Sequence, residues 1–326
     1  MRRSPARTLT ALMASAALAV VALPDAHASP EGSAGTITMA DSRGGTWTIA
    51  PPPSTTRDGS DAHLMVPAST GTGDLTELVG AHVLPDVPEE VTAALASSGS
   101  RPGARAVIGN DDRTRITNVS ASPYVQMPLF IFDRPGRGTS ACTGWLYGNR
   151  TLATAAHCLT DGQGTWYTNI RVYFGLDGNT AYAQCGYNVL AAPTGWDGVA
   201  GSEYDWGVVV LNCNAGNVLG SMGFKVLDTA PSGSWSVTGY PADKTPANSM
   251  WTHAAPVAVR NGGTWKYEID TYHGQSGAPV WRLEAGTACG NCAIGIHTTG
   301  GTTSNSGVRI TNSVGSTLQA YSARYP

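Results

Sequence analysis

From residue 107 onward the chain alternates short apolar runs with turn residues. Leu-Phe-Ile-Phe at 129–132 runs into a Pro-Gly-Arg-Gly turn, and Thr-Gly-Trp-Leu-Tyr at 143–147 leads to Gly148-Asn149 and then to Thr-Leu-Ala-Thr at 151–154. Ile-Arg-Val-Tyr-Phe at 170–174 ends at a glycine, and Val-Val-Val-Leu at 208–211 is apolar throughout. Residues 235–238 alternate before Gly239-Tyr240-Pro241, and two further runs lie at 293–296 and 307–310. Many short strands punctuated by Gly and Pro predict an all-β barrel or sandwich. Only the tail changes period. Val314, Leu318 and Tyr321 recur at i, i+4 and i+7 after Thr311-Asn312-Ser313, which predicts one C-terminal amphipathic helix.

The residues before 107 read differently. Met1 to Arg7 carry positive charge, an apolar run spans 12–23, and Ala26-His27-Ala28 is a small-X-small cleavage site. This is the pattern of a secretory signal peptide, residues 1–28, cut near Ala28. The alternative, a membrane anchor, needs a longer run, and no later stretch reaches 18 consecutive apolar residues. The mature chain is therefore expected to be secreted, extracellular and free of the membrane. Residues 29–106 hold no cysteine and are rich in Gly, Ser, Thr, Pro and Ala. The first 106 residues carry 7 Lys/Arg against 10 Asp/Glu, and the remainder 13 of each, so the whole formal charge of −3 lies in this leader. Such a composition suits a propeptide or a disordered linker. A propeptide over 29–106 is the expected reading, because a different pattern starts at Val107. A length of 326 residues fits about two domains, or one double-barrel domain with additions.

All six cysteines follow Val107: Cys142, Cys158, Cys185, Cys213, Cys289 and Cys292. An even number in a secreted chain implies disulfides, and six cysteines allow 15 pairings. Cys142–Cys158 is expected, since it would staple the strand before a histidine to the histidine turn itself. Cys185–Cys213 and Cys289–Cys292 remain by elimination, although the sequence does not fix how those four pair. Cys-Gly-Asn-Cys could also suggest a redox or metal motif. No matching Cys/His pair accompanies it and the compartment is oxidising, so a small disulfide loop is the expected reading.

Three stretches carry candidate chemistry. Residues 270–280, Asp-Thr-Tyr-His-Gly-Gln-Ser-Gly-Ala-Pro-Val, set Ser276 between Gly274 and Gly277. A tight turn there can aim the N–H groups of Gly274 and Ser276 into one space, as an oxyanion hole requires. Alone the motif is an ordinary loop sequence. Upstream lie Thr154-Ala-Ala-His157-Cys158 and Tyr204-Asp205-Trp206-Gly207-Val208. A serine hydroxyl needs a base, and the base needs a buried carboxylate to hold its tautomer. Asp205 leads into an apolar strand, as a buried carboxylate should, whereas the nearby Asp197 and Glu203 do not. The chain order His157, Asp205, Ser276 is one of the three recurring triad orders.

Taken with Ala141-Cys-Thr-Gly-Trp-Leu146 and Gly274-Gln-Ser-Gly-Ala-Pro279, these motifs resemble a chymotrypsin-fold serine endopeptidase. Within that superfamily residues 107–326 resemble the bacterial glutamyl endopeptidases. The likeness rests on Val107-Ile-Gly-Asn-Asp-Asp-Arg113 as a mature start, on Thr271, and on Gly295-Ile-His297. The resemblance implies two packed six-stranded antiparallel β-barrels, dividing near 215–230, with the site in the cleft between them. It implies protein or peptide substrates and no cofactor. It assigns substrate binding to Thr271, His297 and the Val107 amine. No metal is expected, since no acidic cluster has calcium-loop spacing; nor is nucleic acid, and the enzyme is expected to be a monomer.

Specificity is divided. Asp270 stands where trypsin-type members carry the acidic base of the primary pocket, which predicts cleavage after Arg or Lys. Against this, His297 and Thr271 can donate to a substrate carboxylate, and Gln275 replaces the acid that pairs with a buried N-terminus in trypsin-type members. Cleavage after Glu, and more weakly after Asp, is the expectation. His273 is read as a pocket-rim residue, and His253 carries no motif. An inactive secreted binding module of the same fold is the alternative outside the enzymes.

Overall fold

The computed structural model describes residues 35–50, 64–84, 86–99 and 107–326. The signal-peptide reading of residues 1–28 lies outside them, as does the junction at 100–106. The leader contributes β1 (Ile37–Asp41), β2 (Thr46–Ile49), β3 (Met65–Val66), β4 (Ala81–Leu84) and the helix α1 (Glu89–Gly99). After β5 (Thr114–Ile116) come β6 (Leu129–Arg134), β7 (Gly138–Thr143), β8 (Trp145–Leu146), β9 (Thr151–Thr154), β10 (Thr168–Phe174), β11 (Ala181–Cys185), β12 (Tyr187–Pro193) and β13 (Gly207–Leu211). β7 continues through Gly144 into β8, and β11 through Gly186 into β12. With each bent pair counted as one strand, antiparallel pairing runs from β10 through β6, β7/β8, β9, β13 and β12/β11 back to β10. This ring is a closed six-stranded barrel.

A link holding α2 (Ala215–Leu219) and β14 (Gly223–Lys225) leads to β15 (Ser234–Gly239), β16 (Met250–Asn261), β17 (Thr264–Tyr267), β18 (Pro279–Glu284), β19 (Gly290–Thr299) and β20 (Asn305–Arg309). Here the antiparallel ring is β15, β16, β17, β20, β19, β18 and back to β15. The chain ends in α3 (Asn312–Arg324), whose N-cap Thr311 accepts the Val314 N–H through its side chain.

Three cores explain the sequence pattern. Phe130, Leu152, Val172, Val209 and Leu211 fill the first barrel. Trp235, Val237, Trp265, Val280 and Ile294 fill the second. A third core contains Trp145, Val208, Val210, Phe224, Ile296 and Leu318. β13 therefore buries both faces, Val209 and Leu211 into one core and Val208 and Val210 into another, which is why 208–211 reads as an unbroken apolar run. The disulfides are Cys142–Cys158, Cys185–Cys213 and Cys289–Cys292. The first ties the end of β7 to the histidine turn.

Two features differ from the sequence expectation. The tail is not the only helical segment: α1 buries Val91, Ala94 and Leu95 on one face, a spacing of i, i+3, i+4 after Pro88 and two acidic residues. The described leader is also built into the barrels. β1 pairs with β12, β3 with β14 and β4 with β11. Trp47 of β2 packs on Tyr321 of α3 at 5.0 Å between ring centroids. Among the described residues no helix is long and apolar enough to cross a membrane.

Candidate active site

β9 and β13 are antiparallel neighbours with Gly207 opposite Thr154. That register carries Asp205, two residues before Gly207, beside the turn at 156–158 that follows β9. Asp205 is 1% exposed. One carboxylate oxygen accepts the His157 backbone N–H at 2.9 Å, and the other lies 2.8 Å from His157 Nδ1. A carboxylate at this distance can only accept, so Nδ1 carries the ring proton and Nε2 keeps its lone pair. Ala156, Ala192 and Trp196 form a small apolar cluster beside the histidine, and its ring remains partly open to solvent.

Ser276 sits on two successive tight turns, closed by Gln275 N–H to Tyr272 O and Ala278 N–H to Gln275 O, each 3.0 Å. Gln275 is fully buried, and its side-chain oxygen accepts the Tyr272 N–H. Gly274 has φ +95° and Gly277 φ +86°, the region where a side chain is strained. A Cβ on Gly274 would lie 2.2 Å from Tyr240 O, and one on Gly277 2.0 Å from Thr154 Oγ1. Both glycines are thus required by conformation and by space. The turn is held from two sides. The Thr143 N–H donates to Ser276 O and the Thr143 hydroxyl to Gly274 O, while Gly277 N–H donates to His297 O at 2.7 Å. Cys158 Sγ lies 4.0 Å from Ser276 O, which sets the histidine turn of the first barrel against the serine turn of the second.

His297, on β19, is 3% exposed. Burial pulls its pKa down to about 3, against a hydrogen bond to the Ser306 backbone, so the ring is neutral at neutral pH. Its Nδ1 is 2.7 Å from the Tyr267 hydroxyl. Burial pushes that phenol well above its ordinary range, so it stays an O–H donor. Tyr267 was not singled out in the sequence. It lies 30 residues from His297, and only the pairing of β17 through β20 with β19 brings the two together. Thr271 is fully buried and its hydroxyl has no hydrogen-bond partner.

Asp270 does not point its charge into an open pocket. Its two oxygens accept the backbone N–H groups of Ile108 at 2.8 Å and Asp112 at 2.9 Å. Its own N–H donates to Nδ1 of His253 at 2.7 Å, giving His253 a structural partner that no motif announced. The segment beginning at Val107 is thereby fastened to the residue before Thr271. Arg113 continues the anchorage with bonds to Asp111 and Asp243. The His273 carbonyl accepts the Ala242 N–H, and its ring packs edge-on against Tyr272.

Two closed β-barrels, with the His157–Asp205 pair on one and the glycine-flanked serine turn of the other packed against it, define a trypsin-like serine peptidase fold. Comparison with known proteins agrees. A trypsin-like peptidase domain model matches residues 142–290. The glutamyl endopeptidase of Bacillus licheniformis is 36% identical over 218 residues, covering 64% of this chain and 67% of that protein. A Bacillus subtilis protein named extracellular metalloprotease is 36% identical over 219 residues, covering 65% and 68%. A solved Glu endopeptidase in complex with MPD superposes with a TM-score of 0.59 at 26% identity, covering 67% of this chain and 99% of that one. The chain belongs to the chymotrypsin-fold serine endopeptidases and resembles their glutamyl branch.

The name of the Bacillus subtilis relative implies a metal, and the donor sets here do not suit one. Among the described residues, two of the three His/Cys/Asp/Glu clusters consist largely of disulfide sulfurs, and the third is Asp112, His253 and Asp270. In that third cluster both oxygens of Asp270 and Nδ1 of His253 already accept backbone N–H groups.

Proposed function

We propose that the chain is a secreted serine endopeptidase in which Ser276 is the nucleophile, His157 the general base and Asp205 its orienting carboxylate. The observation that carries this reading is the doubly hydrogen-bonded, buried Asp205 under His157, packed against the Ser276 turn. Ser276 Oγ attacks the scissile carbonyl carbon and passes its proton to His157 Nε2. The N–H groups of Gly274 and Ser276 hold the oxyanion that forms. The imidazolium then gives its proton to the leaving amine, and the acyl-enzyme is hydrolysed by water activated at the same Nε2. A serine-directed phosphonate should label one residue, Ser276, with loss of activity in proportion; intact activity after full labelling rejects the assignment.

The same reading makes the enzyme glutamyl-specific. With the Tyr267 hydroxyl donating to His297 Nδ1, the ring proton sits on Nε2, where a substrate carboxylate competes for it with the Ser306 backbone. The buried, unpartnered Thr271 hydroxyl supplies a second donor. The rival, Arg or Lys specificity at Asp270, is disfavoured because that carboxylate is already used twice by backbone N–H groups. Asp270→Asn should lower activity on all peptides by loosening the 107–112 segment, leaving the order of preference at the cleaved position unchanged. A switch of preference away from Arg on this substitution is the result that supports the rival.

Residues 29–106 serve as a propeptide, and the active enzyme is expected to begin at Val107 or within a residue of it, its new amine joining Thr271 and His297 in carboxylate binding. N-terminal sequencing of the active secreted protein checks this. An active species that retains residues 29–106 is incompatible with a role for that amine.

A further inference from the structure

The leader helix α1 lies on the active-site face of the first barrel. Leu95, 2% exposed, places its Cδ1 2.6 Å from where a Cβ on Gly274 would stand, so its methyl rests on the glycine that forms the oxyanion turn. Further along the same helix, Ser98 Oγ accepts the Ala141 N–H at 2.8 Å, and the hydroxyls of Ser97 and Ser98 lie within hydrogen-bond distance of Thr139 O and Ala141 O. β7 is the edge strand of its sheet. These N–H and C=O groups are its outward row, the row that β6 leaves unused. An exposed edge of this kind accepts an added extended strand. Here the Ala141 N–H is instead satisfied by the Ser98 hydroxyl, while the Ser97 and Ser98 hydroxyls share their protons between this edge and Ala94 O of α1 itself.

The position of this edge relative to the serine turn gives it a meaning. Thr143, at the end of β7, holds one side of the turn, and His297 holds the other. The acyl side of a substrate reaches towards Thr271 and His297, so the leaving side runs towards β7. We infer that α1 caps the outer edge of β7 in the uncut chain and so keeps the extended leaving-side segment of a peptide substrate off that edge, as a built-in competitor. This rests on the serine-peptidase reading above and adds to it a defined occupant. While α1 is tethered, its effective concentration at the edge is in the millimolar range expected for a short linker. A cut before Val107 converts it into a separate chain, held by the other leader strands until the leader is lost.

The test uses the full chain cut before Val107 with its leader still bound, isolated by gel filtration. Two peptides with the same Glu at the cleaved position are compared, one ending in a chromogenic amide and one extending several residues beyond the scissile bond. With the leader bound, kcat/KM for the extended peptide relative to the short one should be about tenfold lower than after the leader is digested, as expected for loss of a competitor held at the edge by the other leader strands. Ser98→Ala and Leu95→Ser in the leader should each diminish that difference. An equal ratio before and after leader loss, or a difference untouched by both variants, overturns the inference. Leu95→Ser could also impair folding, which shows as failure to cleave either peptide after leader removal; Ser98→Ala then decides. Hydrogen exchange in the Ser276→Ala full chain adds an arm that needs no activity. The Ala141 amide should exchange faster once an added protease has cut and the leader is removed, and unchanged protection overturns the inference. A fully processed wild type that cleaves neither peptide refutes the peptidase reading, while this arm still tests the docking of α1.

Discussion

Ser276→Ala should remove hydrolysis by roughly 10⁶-fold in kcat, the size seen when the serine of a comparable triad is deleted. The fold should survive, because the bonds that shape the turn are made by backbone atoms of residue 276 and by its neighbours. Ser276 O still accepts from Thr143 N–H, and Gly277 N–H still reaches His297 O. The measurement is turnover of a Glu peptide by the purified mature variant beside its thermal unfolding curve. A wild-type melting profile with residual activity at the level of the oxyanion hole alone, about 10³ to 10⁴ over water, is the expected pair of results. Asp205→Asn offers an independent check, with an expected loss of about 10⁴ because an amide nitrogen facing Nδ1 favours the wrong tautomer. Near-normal activity in the Ser276→Ala protein refutes the nucleophile assignment outright.

Features set by neighbouring residues were legible in the sequence. Gly274 announced a tight turn before Ser276, and the structure gives both Gly274 and Gly277 a positive φ with no room for a side chain. Asp205 was distinguished from Asp197 and Glu203 by the apolar strand it leads into. Thr311-Asn312-Ser313 followed by a 3.6-residue period marked α3. The strands that escaped notice are those whose faces are not separated by polarity. β16 is twelve residues long and mostly half-exposed or exposed, with Pro256 and several alanines within it, so no inside–outside alternation marks it. Relations between distant residues were hidden for a different reason. Nothing in the sequence says that Tyr267 will meet His297, which follows from strand pairing in the closed second barrel, or that Asp270 will accept from Ile108 and Asp112, which lie just before β5 where it pairs with β16 outside that ring. The leader was judged by composition, which averaged away the Val91, Ala94, Leu95 stripe of α1.

His297→Ala should lower kcat/KM for Glu peptides by about a hundredfold or more, equivalent to ~2.7 kcal/mol, which lies within the range of a hydrogen bond to a charged group. Peptides with Phe at the cleaved position should be affected less. Asp peptides should begin weaker than Glu peptides, their carboxylate being one methylene short of the donors. Tyr267→Phe separates positioning from contact. It removes the hydroxyl that fixes the His297 tautomer, so it should reduce the Glu-to-Gln preference while leaving the Phe rate nearly unchanged. The pH profile gives the sign test. Because burial holds His297 at about 3, the free enzyme presents a neutral N–H donor from pH 5 to pH 8, and the ratio of kcat/KM for Glu over Gln peptides should be flat across that window. A charged imidazolium donor near its ordinary value would instead make the ratio climb as pH falls through about 6.5. A climbing ratio rejects the neutral-donor pocket. Preference for Arg peptides, destroyed by Asp270→Ala and untouched by His297→Ala, rejects glutamyl specificity altogether.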